Sequence, residues 1–152
     1  MKAEFNSRYM GSKAEEFCGI IMLGCPLDAT SSFRGGTKFA PDSIRKASWN
    51  LETYSPYCKR DLDEMMFHDA GNLELRPGDL EYSLDSIEGA VSEIAGKGGK
   101  PLVFGGEHLV TYPILKAMQQ FFRDMQVVHF DAHCDLRDEY EGQRLSHATV
   151  MK

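Results

Sequence analysis

Short apolar runs alternate along this chain with stretches whose apolar positions recur at helical spacing. Residues 19–23 (GIIML), 102–104 with their flanks, and 127–130 (VVHF) are continuous and short. That pattern suits strands of a parallel sheet buried on both faces. Residues 65–68 form a weaker fourth candidate. Between them Leu84, Ile87, Val91 and Ile94 recur at i, i+3, i+7 and i+10. The spacing predicts a helix with Ser83 as its cap and Gly96, Gly98 and Gly99 at its end. Leu115, Met118 and Phe122 predict a second helix, joining residues 102–104 to 127–130. Pro41, followed by Asp42, Ile44 and Arg45, reads as a helix start, because proline suits the first turn. Alternating strands and helices imply a mainly parallel sheet with right-handed crossovers.

Length and composition narrow this to an ordinary globular protein. The chain has 152 residues, 42% hydrophobic and 26% charged, and about 150 residues is the size of one domain. No apolar run approaches the roughly 18–20 residues of a membrane span. The first sixteen residues lack the apolar core of a signal peptide, so a cytoplasmic location is expected. A formal net charge of −6 gives no reason to expect nucleic-acid binding, which relies on basic patches. Cys18, Cys25, Cys58 and Cys134 form no Cys-x-x-Cys pair, so reduced thiols are expected, Cys18 and Cys25 flanking the first strand.

Candidate chemistry falls where apolar runs end. Asp131-Ala132-His133-Cys134-Asp135 follows the run 126–130. Alternation in extended backbone can turn Asp131, His133 and Asp135 to one side. Carboxylate and imidazole donors without thiolate favour manganese or a similar ion. Ligands of parallel sheets also collect beyond the carboxyl ends of strands. A blander reading makes the aspartates loop caps and His133 a turn residue. Gly105-Gly106-Glu107-His108 follows the run 101–104. By itself it is a strand-to-helix turn; beside the Asp-His-Asp cluster, His108 becomes a further candidate ligand. His147 suits a proton shuttle, given an ordinary imidazole pKa of about 6.5, although a lone histidine in a polar segment is commonly a surface residue. Asp138, Glu139 and Glu141 would attract a cationic substrate; the commoner use of such a run is a solvated loop.

Taken together, these motifs resemble the arginase–agmatinase (ureohydrolase) family. Gly-Gly-Glu-His and then Asp-Ala-His-Cys-Asp are similar, in order and context, to its first two metal motifs. Residues 23–28, 31–36 and 40–45 and the run His68-Asp69-Ala70-Gly71-Asn72 resemble its N-terminal region. The resemblance implies a three-layer α/β/α fold around a mainly parallel sheet, eight-stranded when complete. Residues 1–152 would be the N-terminal part of that single domain. It also implies two Mn2+ ions per complete subunit. Asp131 would bridge them, His108 and Asp135 would bind one, and His133 the other. Asp131 and His147 would be catalytic, with His147 near the guanidinium group.

The implied reaction is hydrolysis of a small cationic guanidino compound to urea and an amine, by a homo-oligomer of the complete chain. Asp138, Glu139 and Glu141 suit agmatine, which has no carboxylate, giving putrescine and urea. A guanidinobutyrase, an arginase, a one-zinc deacetylase of the same architecture and a non-catalytic metal-binding fragment are the competing readings. The family's later Asp-x-Asp motif and substrate glutamate have no counterpart in this sequence. Residues 1–152 alone are therefore expected to be inactive and poorly folded.

Overall fold

The computed structural model describes residues 8–13 and 19–152, so the expectation for Cys18 lies outside the described residues. Strand β1 (Ile20–Cys25) leads through a loop to helix α1 (Ala40–Ser48), which carries Pro41 in its first turn. A two-stranded antiparallel ribbon follows, β2 (Tyr54–Ser55) against β3 (Arg60–Asp61). Next come β4 (His68–Asn72), α2 (Leu80–Gly96), β5 (Lys100–Gly105) and α3 (Thr111–Gln119). The main sheet is parallel, in the order β4-β1-β5. Met22 pairs with Asp69 on one side and with Leu102 on the other.

Alternation along β1 divides the molecule into layers. Ile21, Leu23 and Cys25 point to one face and join Leu84, Ile87, Val91 and Ile94 of α2 in the buried core, with Ala117 of α3. On the opposite face a Cβ at Gly24 would lie 3.0 Å from Nη1 of Arg45 in α1 and 1.8 Å from Oδ1 of Asn72. Helices thus cover both faces, the expected α/β/α arrangement. Cys25 is fully buried, and desolvation pushes its thiol pKa up to about 12.

The α1 side is held by polar contacts instead of apolar ones. Arg45 and Asp69 are each 2% exposed. Arg45 Nε donates to Asp69 Oδ2 at 2.8 Å and Nη2 to Asp69 Oδ1 at 2.9 Å, a two-pronged pair. Its other donors reach Gly71 O at 3.0 Å and Asn72 Oδ1 at 2.5 Å. Burial alone would raise the Asp69 carboxyl. The Arg45 guanidinium, with the amides of Tyr9 and Gly71, outweighs it and holds Asp69 below the usual carboxylate range.

Several local expectations shift. The weak strand expected at 65–68 is displaced to His68–Asn72, because Arg45 satisfies the polar groups that made this stretch look unlike a strand. Met65 and Met66 are left exposed. Helix α2 starts a turn before Ser83: Asp79 is its cap, accepting from Tyr82 N at 3.1 Å. Ser83 is buried and donates to Asp79 O at 2.8 Å. The glycines do end this helix, with Gly98 at φ +77° and Gly99 N donating to Ile94 O at 2.9 Å. Helix α3 stops at Gln119, short of Phe122, which is exposed. The strand expected at 127–130 does not form. An apolar run becomes a strand only when a neighbour takes up its backbone groups, and no described strand pairs with it. Val128 and Phe130 are 75% and 95% exposed.

Candidate metal centre

The site begins where β5 ends. A Cβ on Gly106 would fall 2.0 Å from Leu27 O, so only glycine permits this crossing. The close approach lets Gly106 N donate to Cys25 O at 2.9 Å and Glu107 N to Leu27 O at 3.0 Å. Glu107 is then turned inward, 6% exposed. Its carboxylate accepts from the amide of Ala29, from the amide of Thr30 at 2.7 Å and from the hydroxyl of Thr30. This locks the β5 turn to the loop after β1. The next residue, His108, opens a short 3-10 turn (His108–Val110) beside the site.

His108 meets the Asp-Ala-His-Cys-Asp segment from across the chain. Its Nδ1 lies 2.6 Å from Asp135 Oδ2 and 3.8 Å from Asp131 Oδ2. Asp135 reaches this position with φ +50°, a left-handed conformation that aspartate tolerates better than most residues. Asp131 Oδ1 accepts from His133 N at 2.9 Å, curling the segment into a turn. That amide first, and then the neighbouring imidazoles, hold the Asp131 carboxyl below its ordinary range despite some desolvation.

Ligand atoms of His108, His129, Asp131 and Asp135 all lie within 4.8 Å of one another. The His129 ring stacks 5.1 Å from that of His108. Its Nε2 is buried without a hydrogen-bond partner, 3.7 Å from Asp131 Oδ2. A buried ring nitrogen with no partner is costly, and a divalent cation among these donors would satisfy it. The oxygen and imidazole set fits a hard-to-borderline ion such as manganese.

Of the four ligands expected from the sequence, His108, Asp131 and Asp135 converge. His133 is 82% exposed, with Nδ1 3.6 Å from Asp131 Oδ1. His129 was hidden inside the run read as a strand. The signal was available: the alternation of 131, 133 and 135, extended one step back, places position 129 on the same side.

His133 and Asp135 line a cleft of about 620 Å3 together with Ser32, Cys134, Tyr140 and His147. Tyr140 packs edge-on against His147, 5.2 Å between ring centres. The backbone of His147 donates to Thr30 Oγ1 at 3.1 Å, and its Nδ1 lies 3.4 Å from the same oxygen. The acidic loop is a tight turn closed between Tyr140 and Gln143, with Glu141 and Gly142 both at positive φ. Arg137 and Tyr140 are its contributions to the cleft wall. Asp138 turns outward to Lys152 Nζ at 2.8 Å, a pairing that lowers its carboxyl pKa, and Glu139 and Glu141 are exposed. A larger cavity of about 720 Å3, lined by Asp28, Lys38, Asn72 and Arg76 among others, holds none of the candidate ligands.

Known proteins place the chain. It is 46% identical to the agmatinase of Bacillus subtilis (strain 168) over 145 residues, 95% of this chain and 50% of that protein. It is 47% identical to the agmatinase of Bacillus anthracis over 133 residues, 88% of this chain and 46% of that one. The crystal structure of agmatine ureohydrolase of Thermoplasma volcanium superposes with a TM-score of 0.86 at 36% identity, covering 95% of this chain and 48% of its own. The chain thus spans about half the length of the relatives it matches. With the sequence profile of the arginase family matching residues 18–152 as well, the chain belongs to the arginase family.

Proposed function

We propose that residues 1–152 are the N-terminal part of a single-domain, manganese-dependent ureohydrolase that converts agmatine and water to putrescine and urea. The observation carrying this reading is the convergence of His108, Asp131 and Asp135, with the unpartnered His129 nitrogen, on one point beside the β5 turn. His108, His129 and Asp135 would hold one ion and His133 would contribute to a second, with Asp131 serving both. When bound, such a pair supplies Lewis-acid activation of water for attack on a guanidinium carbon. The protein's own groups do the rest. Tyr140 and Ser32 shape the cleft that receives the substrate, and His147 stands in its wall to hand a proton to the departing amine. Agmatine is preferred over arginine because Asp138, Glu139 and Glu141, although outside the cleft wall, outnumber Arg137 and Arg144 around its rim and so attract a cation and repel a carboxylate. A homo-oligomer of the complete chain, working in the cytoplasm, completes the proposal. Free Cys25, Cys58 and Cys134 fit a reducing compartment.

The test is urea release by the complete protein, loaded with manganese and offered agmatine, arginine and guanidinobutyrate in turn. Agmatine should be hydrolysed fastest. Equal rates on agmatine and arginine would overturn the substrate assignment, and no urea from any of the three would overturn the ureohydrolase reading.

A further inference from the structure

Thr30 sits between a buried carboxylate and the histidine of the cleft, and its hydroxyl is fully committed. A hydroxyl has one proton to give and two lone pairs with which to accept. The proton goes to Glu107 Oε2. Glu107 is itself fixed by the amides of Ala29 and Thr30, so the direction of that bond is set by the fold. A carboxylate only accepts, and Thr30 therefore has nothing left to donate. Toward His147 its oxygen is an acceptor twice over: once for the backbone N–H at 3.1 Å, and once for the ring nitrogen Nδ1 at 3.4 Å.

We infer that Thr30 is a positioning residue for His147, holding the imidazole with its proton on Nδ1 and leaving Nε2 as the ring's exchangeable nitrogen in the cleft. Glu107 enforces this at one remove, by occupying the only proton Thr30 could have offered. The T-shaped contact of Tyr140 limits the ring from another side. Which ring nitrogen carries the proton is fixed by the bond the other makes, and here that bond comes from a loop nowhere near His147 in sequence. The strand-end turn that presents His108 thus also aligns the cleft histidine, through Glu107 and Thr30.

The inference rests on the proposed role of His147 in the cleft, and its test separates the two. The complete protein, carrying 15N-histidine and stripped of metal, is observed by NMR at a pH where His147 is neutral, with His147→Gln used to assign the signals. His147 should be the Nδ1–H tautomer in the wild type. Thr30→Val, close in shape and lacking the hydroxyl, should shift it toward Nε2–H, and Thr30→Ser should restore it. With manganese and agmatine, Thr30→Val should lower kcat by roughly 10–100-fold, part of what a positioned acid contributes. KM should change by less than about twofold, and Thr30→Ser should recover most of the rate.

A wild-type Nε2–H tautomer overturns the inference, as does a Thr30→Val enzyme with unchanged kcat. Should Thr30→Val fail to fold, the wild-type and Thr30→Ser spectra decide alone. The expected tautomers in a protein that hydrolyses no guanidino compound would leave the positioning intact and remove the ureohydrolase reading.

Discussion

Nδ1 of His108 lies 2.6 Å from Oδ2 of Asp135, joining the turn after β5 to a segment on the far side of α3. Both groups are partly buried, and Asp131 and His129 crowd the same point. The contact brings two motifs distant in sequence into one donor set, and it gives the first prediction. On the proposed two-ion site Asp131→Asn should cost more manganese than His108→Ala, because a carboxylate shared by both ions would help hold each of them. Metal analysis of the complete protein should show content falling toward none in the first variant and toward about one in the second. Identical losses would mean that Asp131 is not shared.

The acidic turn gives a second prediction, about substrate. Neutral amides at Asp138, Glu139 and Glu141 together should raise KM for agmatine by about twofold, most at low salt, while an uncharged analogue is unaffected, since these exposed carboxylates act on a cation through the field at the cleft rim. Steady-state kinetics on the two compounds decides. A comparable change for both would assign the loop a structural role.

Arg45 and Asp69 make a stability prediction. Removing one partner of a buried pair leaves the other charge uncompensated, at a cost of about 3–5 kcal/mol. Asp69→Asn should therefore lower the urea midpoint of the complete protein sharply at pH 7. The pH dependence follows from the depressed carboxyl. A group whose folded-state pKa is lowered contributes stability that is present above its unfolded value of about 3.9 and lost as pH falls through the folded one. The difference between wild type and Asp69→Asn should shrink below about pH 4. A gap that stays constant down to pH 2 would contradict it.

Gly106→Ala tests the turn. The new Cβ would meet backbone, Leu27 O at 2.0 Å, and backbone cannot swing aside as a side chain can. A loss of about 1–3 kcal/mol is expected from overpacking of this kind, together with weaker manganese binding as His108 is displaced. Calorimetric titration beside thermal melting measures both. An alanine variant with wild-type metal affinity would show that the crossing tolerates more than its geometry suggests.

Residues 1–152 expressed alone should unfold without a sharp transition and self-associate. Exposed Val128 and Phe130 belong to an apolar segment with no strand partner among the described residues, a template for aggregation. Denaturant titration with light scattering provides the readout, and a cooperative monomeric transition would overturn the expectation.

The sequence told much of this, unevenly. The layered parallel sheet was legible because β1 and β5 are apolar and continuous and α2 keeps strict helical spacing. Strand β4 was displaced in the reading, because its polar groups are satisfied by Arg45, 24 residues before Asp69 in the chain, and periodicity does not register polar partners. Residues 127–130 had the composition of a strand, yet composition does not guarantee a neighbour. At the site, the motifs at His108 and Asp131–Asp135 were readable as strand-end chemistry. His129 was not, because it was counted as core, and Thr30 offered no motif at all; its role exists only once Glu107 and His147 meet around it.

Cys25 has a practical consequence. With its side chain sealed in the sheet and its thiol pushed up to about 12, it has almost no thiolate with which to react at neutral pH, whereas Cys58 and Cys134 are exposed. Among the described cysteines, an alkylating reagent would mark Cys58 and Cys134 at once and wait at Cys25 for the sheet to open. Cys134 also borders the cleft, so its labelling should slow when something fills that space. The protein carries, in its own cysteines, one clock for the opening of its core and one gauge for the occupancy of its site.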